Sequence, residues 1–404
     1  VTTLSPPQPE EVRAESAAPA RDVGWGGHMP ALDGLRGVAI LLVLLFHTTL
    51  DGGMRAGRAG LAAVYHAVTS AGWCGVDLFY VLSGFLITGI LVDARGAHGY
   101  FRAFYARRAL RILPLYYGVL ALAFVVWPSL GTPPSGYDNL LERQGWYWAH
   151  LVNVLCARDG WHAPTYFQHF WSLSVEEQFY LVWPLAVCFL ARRSLLVCCT
   201  VMIGAALAFR WALVAAGDPI AAYVLMPARM DGLAIGGAVA LLARSGAGRA
   251  WLERWRRPIG LAAAGTVAVL ALSGGGLNQY RAGVQTIGYL ALALAFGSAT
   301  AAVATGAAPA LQRSLRSRWL RFLGKYSYAL YVFHYPLISA LKAHGFSVGA
   351  LPTVAGSELP AQLIFTAVLV ALAVALALLS WHAWEAPFLG LKRYVPMGRA
   401  TSAG

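Results

Sequence analysis

The chain has 404 residues, of which 58% are hydrophobic and only 12% charged, with a mean hydropathy of +0.58. A soluble domain of this length carries about a quarter of its residues as charges, so a water-facing globule is excluded and the surface has to be covered by a lipid bilayer. The formal net charge of +13 does not point to nucleic acid, because the arginines sit between long apolar runs instead of forming one solvated face.

Residues 1–30 are rich in Pro, Ala and Glu without an apolar period, and read as a disordered tail. They lack the basic start, short apolar core and cleavage site of a signal peptide. Ten apolar stretches follow, near 32–50, 73–93, 109–128, 172–190, 195–215, 224–243, 258–273, 284–305, 324–343 and 361–386. The expectation is an all-α polytopic membrane bundle of about ten helices over 31–390, closed by a second tail at 391–404. The seventh stretch is short, and 145–157 reads as an interfacial or re-entrant piece. With the amino terminus inside, 21 of the 31 Lys and Arg fall on inner loops and tails and 5 on outer loops. That is the positive-inside bias, and it puts both termini in the cytoplasm. The longest outer loop, 129–171, is too short to fold alone, so any chemistry has to be built from the helices and this loop.

Five cysteines (Cys74, Cys156, Cys188, Cys198 and Cys199) show no metal-ligand spacing, and no metal site is expected. Cys74 and Cys156 fall on the outer side of this topology, where they can pair.

Ionisable groups inside membrane helices are costly, which makes each a candidate for function. Arg36 and His47 share the first stretch, eleven residues or ~16 Å apart at 1.5 Å per residue. Eleven residues is close to three whole turns, so both face one way. A fixed cation near the inner end suits a phosphate or carboxylate, and an imidazole near the outer end suits general-base work. The plain alternative is an anchoring charge and an interhelical hydrogen bond. Glu176 and Glu177 open the fourth stretch from outside. At a depth like that of His47, one of them can orient the imidazole, while the other closes a capping box with Ser172 or Ser174; spacing alone does not say which. Arg108 and Arg111 lie in the inner loop and the start of the third stretch, one helical turn apart, and can grip one anion together. Asp77 with Ser83 and Gly84, and Arg229 with Asp231, read as buried pairs holding helices in register. His334, flanked by Tyr331 and Tyr335, reads as a helix-packing hydrogen bond or a substrate contact, and Glu385 closes the tenth stretch.

These residues resemble the membrane-bound acyltransferase-3 family from Ala31 to about Phe388. The resemblance is carried by Leu32-Asp33-Gly34-Leu35-Arg36-Gly37 followed by His47, and by Gly75-Val76-Asp77-Leu78-Phe79-Tyr80-Val81-Leu82-Ser83-Gly84-Phe85-Leu86-Ile87. Arg107-Arg108-x-x-Arg111-x-x-Pro114, Trp171-Ser172-Leu173-Ser174-Val175-Glu176, and Gly324-Lys325-Tyr326-Ser327-Tyr328 through His334-Tyr335-Pro336 complete it. It implies a bacterial enzyme of the cytoplasmic membrane. Such an enzyme takes an acyl group, expected to be acetyl, from cytoplasmic acyl-coenzyme A to a hydroxyl, usually of a sugar, near the outer face. His47 then matches the catalytic histidine, Glu176 the acidic residue of the fourth helix, and Arg36, Arg108 and Arg111 the arginines handling coenzyme A. His47, oriented by Glu176, would deprotonate the acceptor or carry the acyl group transiently. Asp77, Ser174, Arg229, Asp231, Tyr331 and His334 would support the substrate or the fold. Acyl-coenzyme A enters as a donor substrate, and no permanently bound cofactor is implied. Many relatives carry a hydrolase-like domain after the bundle, and this sequence reads as the stand-alone form. Acceptors in such forms range from surface polysaccharides, lipid-linked sugars and peptidoglycan to macrolides. The rival class is a proton-coupled transporter with His47 and Glu176 as relay, but the paired broken-helix repeats of many carriers are not seen. Nothing in the pattern specifies an oligomeric state.

Overall fold

The computed structural model describes residues 28–50, 60–131, 137–161 and 166–398, so the expectations for residues 1–27 and 399–404 lie outside the described residues. No strand forms among the described residues; a single isolated bridge joins Val354 and Ser357. All ten apolar stretches are helical. They are α1 (Pro30–Leu50), α2 (Gly75–Asp93), α3 (Tyr100–Ala121), α4 (Trp171–Phe189), α5 (Arg192–Ala215), α6 (Met226–Ala243), α7 (Gly246–Leu272), α8 (Tyr289–Thr305), α9 (Ser327–Ala343) and α10 (Leu359–Ser380).

Seven helical segments among the described residues are long and apolar enough to cross a membrane; these include α1, α2, α3, α5, α6, α8 and α10. The other three are more polar or shorter. α4 carries Glu176 and Glu177, α7 carries Arg249, Arg254, Arg256 and Arg257 in its first half, and α9 has 17 residues. Burial is inverted relative to a soluble protein. Leu181, Phe189, Val197, Val201, Leu261, Val269 and Leu379 are exposed, while Arg210, Arg229, Asp77, Asp231 and His334 are buried. Such a surface needs hydrocarbon around it.

Three boundaries differ from the sequence reading. α3 begins at Tyr100, so Arg102, Arg107 and Arg108 stand on a helix and not in a loop. α7 is 27 residues long rather than short. The ninth stretch breaks at Tyr326 into a short helix, Arg318–Lys325, and α9. In each case charged or aromatic residues extend or interrupt the helix beyond its apolar part.

The motif glycines allow helices to touch backbone to backbone. A methyl group on Gly84 of α2 would run into the Leu233 carbonyl of α6, and one on Gly236 of α6 into the Val81 carbonyl of α2. Gly34 and Gly37 of α1 meet the carbonyls of Leu315 and Leu320 in the same way, and Gly324 meets that of Asp33. Gly265 on α7 has open space around it. Gly84→Ala should therefore destabilise the bundle by about 1–3 kcal/mol through overpacking, whereas Gly265→Ala should not. Melting of the two variants in detergent checks this, and equal melting temperatures would contradict the packing account.

Between α3 and α4, short helices at Tyr137–Glu142, Gln144–Trp148 and Val152–Asp159 pack onto the bundle and contain the piece read at 145–157. Tyr147, Val152, Leu155 and Cys156 are buried. Asn153 and Gln178 of α4 exchange two side-chain hydrogen bonds of 3.2 and 2.9 Å, and Tyr116 OH donates to the Tyr147 carbonyl at 2.7 Å. His150 stacks on Tyr116 at 4.1 Å, and burial pulls its imidazole down to about 4. The cap covers the start of α4, leaving Phe170 and Trp171 buried. All five cysteines are free thiols, so Cys74 and Cys156 do not pair.

Candidate active site

Three adjoining cavities run into the bundle from its arginine-rich side. The outermost, about 630 Å³, is lined by Asp33 and Arg36 of α1, Asp93 of α2, Arg107 of α3, Arg244 and Met397, among others. Arg244 grips Asp93 with two bonds of 2.7 and 2.8 Å. Arg107 donates to the carbonyls of Lys392 and Val395, at 3.2 and 3.1 Å, which holds the segment after α10 against this mouth.

The second cavity, about 270 Å³, shares Arg36, Leu86 and Ile90 with the first. Four cations line it, Arg36, Arg108, Arg111 and Lys392, against two carboxylates, Glu176 and Glu177. Arg108 Cζ lies over the Tyr180 ring, 4.0 Å from its centre, and its buried Nε has no hydrogen-bond partner among the described residues. Arg111 sits one turn along α3, 5.9 Å over the Trp381 ring. Arg36 donates to Ser327 Oγ of α9 at 3.2 Å. The excess of guanidinium groups, with donors left open, suits an anion with several oxygens. The third cavity, about 70 Å³, shares Arg36, Glu176 and Tyr328 with the second and reaches Ser172 and Tyr331.

Beyond Tyr331 stands a cluster of three imidazoles. Tyr331 OH lies 2.6 Å from Ser172 Oγ and donates to the His169 carbonyl at 2.7 Å. His334 Nδ1 is 2.7 Å from the Tyr331 carbonyl, His169 Nε2 is 3.0 Å from the same oxygen, and His334 Nε2 is 3.1 Å from His47 Nδ1. A second contact of 3.1 Å joins His47 Nδ1 to the Val43 carbonyl. A carbonyl only accepts, so in the neutral rings the hydrogens sit on His334 Nδ1 and His169 Nε2. His334 Nε2 is then an acceptor and His47 Nδ1 the donor to it. This leaves His47 Nε2 unprotonated, with no hydrogen bond to it among the described residues. Tyr335 lies against both His47 and His169, ring centres 5.0 and 5.3 Å away. Among the described residues, no group of His, Cys, Asp and Glu is arranged to hold a metal ion.

Several sequence expectations are met and others are not. Arg36 and His47 do share a face, and that face packs on α9. Arg36, Arg108 and Arg111 do line one cavity. Glu176 has no hydrogen bond to His47 among the described residues: it lines the cation chamber with Ser83, Tyr180, Arg36 and Arg108. Ser83 also bonds Tyr180 directly. The reason is the cap. Because α4 starts beneath it, the residue level with His47 is His169, and Glu176 lies seven residues, or ~10 Å, deeper. Glu177 faces the same chamber. Ser174 bonds back to the Phe170 carbonyl at 3.2 Å and takes no part in the site. The buried ion pairs are also regrouped. Arg229 pairs with Asp77 at 2.7 Å and Asp231 with Arg210 at 2.7 Å, so α6 is clamped to α2 and to α5. Glu385 accepts from Ser380 at 3.1 Å. His169 and Arg210 are the participants that sequence reasoning passed over. The signal for His169 was its place two residues before Trp171, at the head of a polar helix start.

Fold and site together define a polytopic helical membrane protein with a cation-lined chamber leading toward a histidine cluster, an arrangement suited to group transfer. The chain belongs to the acyltransferase-3 family: the family's acyltransferase domain matches residues 29–382. It is similar to the protein named "Putative peptidoglycan O-acetyltransferase YrhL" of Bacillus subtilis, 28% identical over 338 residues, covering 77% of this chain and 49% of that protein. It is also similar to the peptidoglycan O-acetyltransferase OatA of Listeria monocytogenes, 30% identical over 168 residues, covering 39% of this chain and 24% of that one. The O-acetyltransferase OatA of Staphylococcus aureus is 30% identical over 179 residues, covering 41% and 26%. The matches thus span half or less of the length of these curated relatives. No solved structure matches.

Proposed function

We propose that this protein is an O-acyltransferase of the bacterial cytoplasmic membrane. It carries an acyl group, acetyl in the first instance, from cytoplasmic acyl-coenzyme A to a hydroxyl of a cell-wall or surface glycan. The observation that carries the reading is the run of adjoining cavities from a four-cation chamber on the arginine-rich side to Ser172 and Tyr331, which is hydrogen-bonded in turn to His169 and His334 of the histidine cluster. Membership of the acyltransferase family and the peptidoglycan O-acetyltransferase names of its relatives support the reaction and the glycan acceptor.

In this reading Arg36, Arg108 and Arg111 hold the phosphates of coenzyme A, and the pantetheine arm runs past Glu176 and Tyr331. His47 Nε2 takes the proton of the acceptor hydroxyl, whose oxygen bonds to the acyl carbon as the carbon–sulfur bond breaks. The thiolate leaves with the electron pair and receives the proton from His47, giving an ester and free coenzyme A.

The test is sidedness. In proteoliposomes of known orientation, acyl-coenzyme A should release thiol only from the face bearing the described C-terminal segment 391–398. A polar glycan acceptor should work only from the opposite face. If both substrates are needed on the 391–398 face, transfer across the membrane is wrong and an intracellular acceptor replaces the glycan. Absence of thiol release with every acceptor would favour a transporter.

A further inference from the structure

Resting on the reading of His47 as the base, we infer that His334 is the positioning residue for His47, filling the place that a carboxylate takes in other base–orienter pairs. Two hydrogen bonds carry this. The Tyr331 carbonyl, 2.7 Å from His334 Nδ1, fixes one tautomer of His334 and thereby makes its Nε2 an acceptor. That nitrogen, 3.1 Å from His47 Nδ1, shares the Nδ1 hydrogen with the Val43 carbonyl, also at 3.1 Å. Together they keep it on Nδ1 and leave the Nε2 lone pair free for the hydroxyl proton, and His334 is the side chain of the two that ties the ring to α9. His334 is fully buried on α9, and the carbonyl that orients it also receives His169 Nε2 at 3.0 Å. The groups facing the pair are His169 and Tyr331, with Tyr335 in ring contact. Among the described residues, no carboxylate is hydrogen-bonded to any of the three rings.

The consequence is a neutral orienter. When His47 takes the hydroxyl proton at Nε2, its Nδ1–H faces a lone pair and not a negative charge. The imidazolium is then stabilised less than a carboxylate would stabilise it, and the proton passes on readily to the departing thiolate. No other charged group is required in the cluster.

His334→Leu removes the acceptor, His334→Gln keeps one near the position of Nε2, and His334→Glu supplies a carboxylate. We expect His334→Leu to lower kcat by about a hundredfold or more with the KM for acyl-coenzyme A unchanged, and His334→Gln to recover most of that loss. His334→Glu should move the ascending limb of the kcat/KM pH profile to higher pH, because a carboxylate raises the pKa of the neighbouring base. Retained coenzyme A binding reports that each variant is folded. Should the leucine variant not fold, the glutamine and glutamate variants decide. A folded leucine variant with near-normal kcat, a glutamine variant as poor as leucine, or a pH profile unmoved by glutamate would overturn the assignment. Activity surviving His47→Ala would instead sink the underlying reading, and the positioning role with it.

Discussion

Replacing His47 with alanine should give a folded, inserted protein whose acyl transfer is lower by about two to four orders of magnitude. The half-buried ring packs at the edge of Phe46 and Tyr335 and bonds His334, so its loss opens a small gap in one cluster. It leaves untouched the chamber of Arg36, Arg108 and Arg111, which lies about three turns nearer the amino-terminal end of α1. Coenzyme A should therefore bind the variant as it binds the parent while thiol release with acceptor disappears. Measuring both on one purified sample separates lost chemistry from lost donor binding. If more than about a tenth of turnover remained, His47 would not be the base.

The spacing of Arg36 and His47 was legible because it concerns one unbroken helix, where angle and rise follow from residue number alone. The depth of Glu176 was not. Counting from Trp171 measures distance from the start of α4, and equating that start with the membrane surface ignores what lies above it. The cap formed by residues 137–159 buries Phe170 and Trp171, so every residue of α4 sits deeper than its count suggests. His169 then occupies the level assigned to the carboxylate, and Glu176 joins the arginines.

The pairing of Arg229 with Asp231 fails for a simpler reason. Residues two apart on a helix point nearly opposite ways, so each had to find its partner elsewhere, Arg229 on α2 and Asp231 on α5. Arg210, the partner on α5, is fully buried. An arginine inside an apolar stretch with no acid one turn away is a request for a carboxylate on a neighbour, and that much was readable. Helix starts at Tyr100 and Gly246 were missed because hydropathy registers only the apolar part of a helix. The polar turns that precede it are held by contacts to other elements, such as Arg249 with the Thr305 carbonyl, which no local pattern encodes.

Arg108→Ala and Arg111→Ala should each raise the KM for acyl-coenzyme A by roughly one to two decades, the loss of a charge-assisted contact of about 1.5–3 kcal/mol. The KM for the acceptor should barely move. Both arginines line the chamber that Arg36 and Lys392 complete, and the open Nε of Arg108 is a donor waiting for an acceptor. A charge serving only to orient the protein would not be drawn over the Tyr180 ring inside the bundle. Arg318, exposed on the helix Arg318–Lys325, is the matching control, and its alanine variant should bind donor normally. An acyl-pantetheine donor without the nucleotide phosphates sharpens the test. The parent should lose affinity when the phosphates are removed, whereas the arginine variants should lose little more, because both changes delete the same contact and their effects do not add. Equal and additive losses would return Arg108 and Arg111 to the role of topology signals and move the donor phosphates elsewhere.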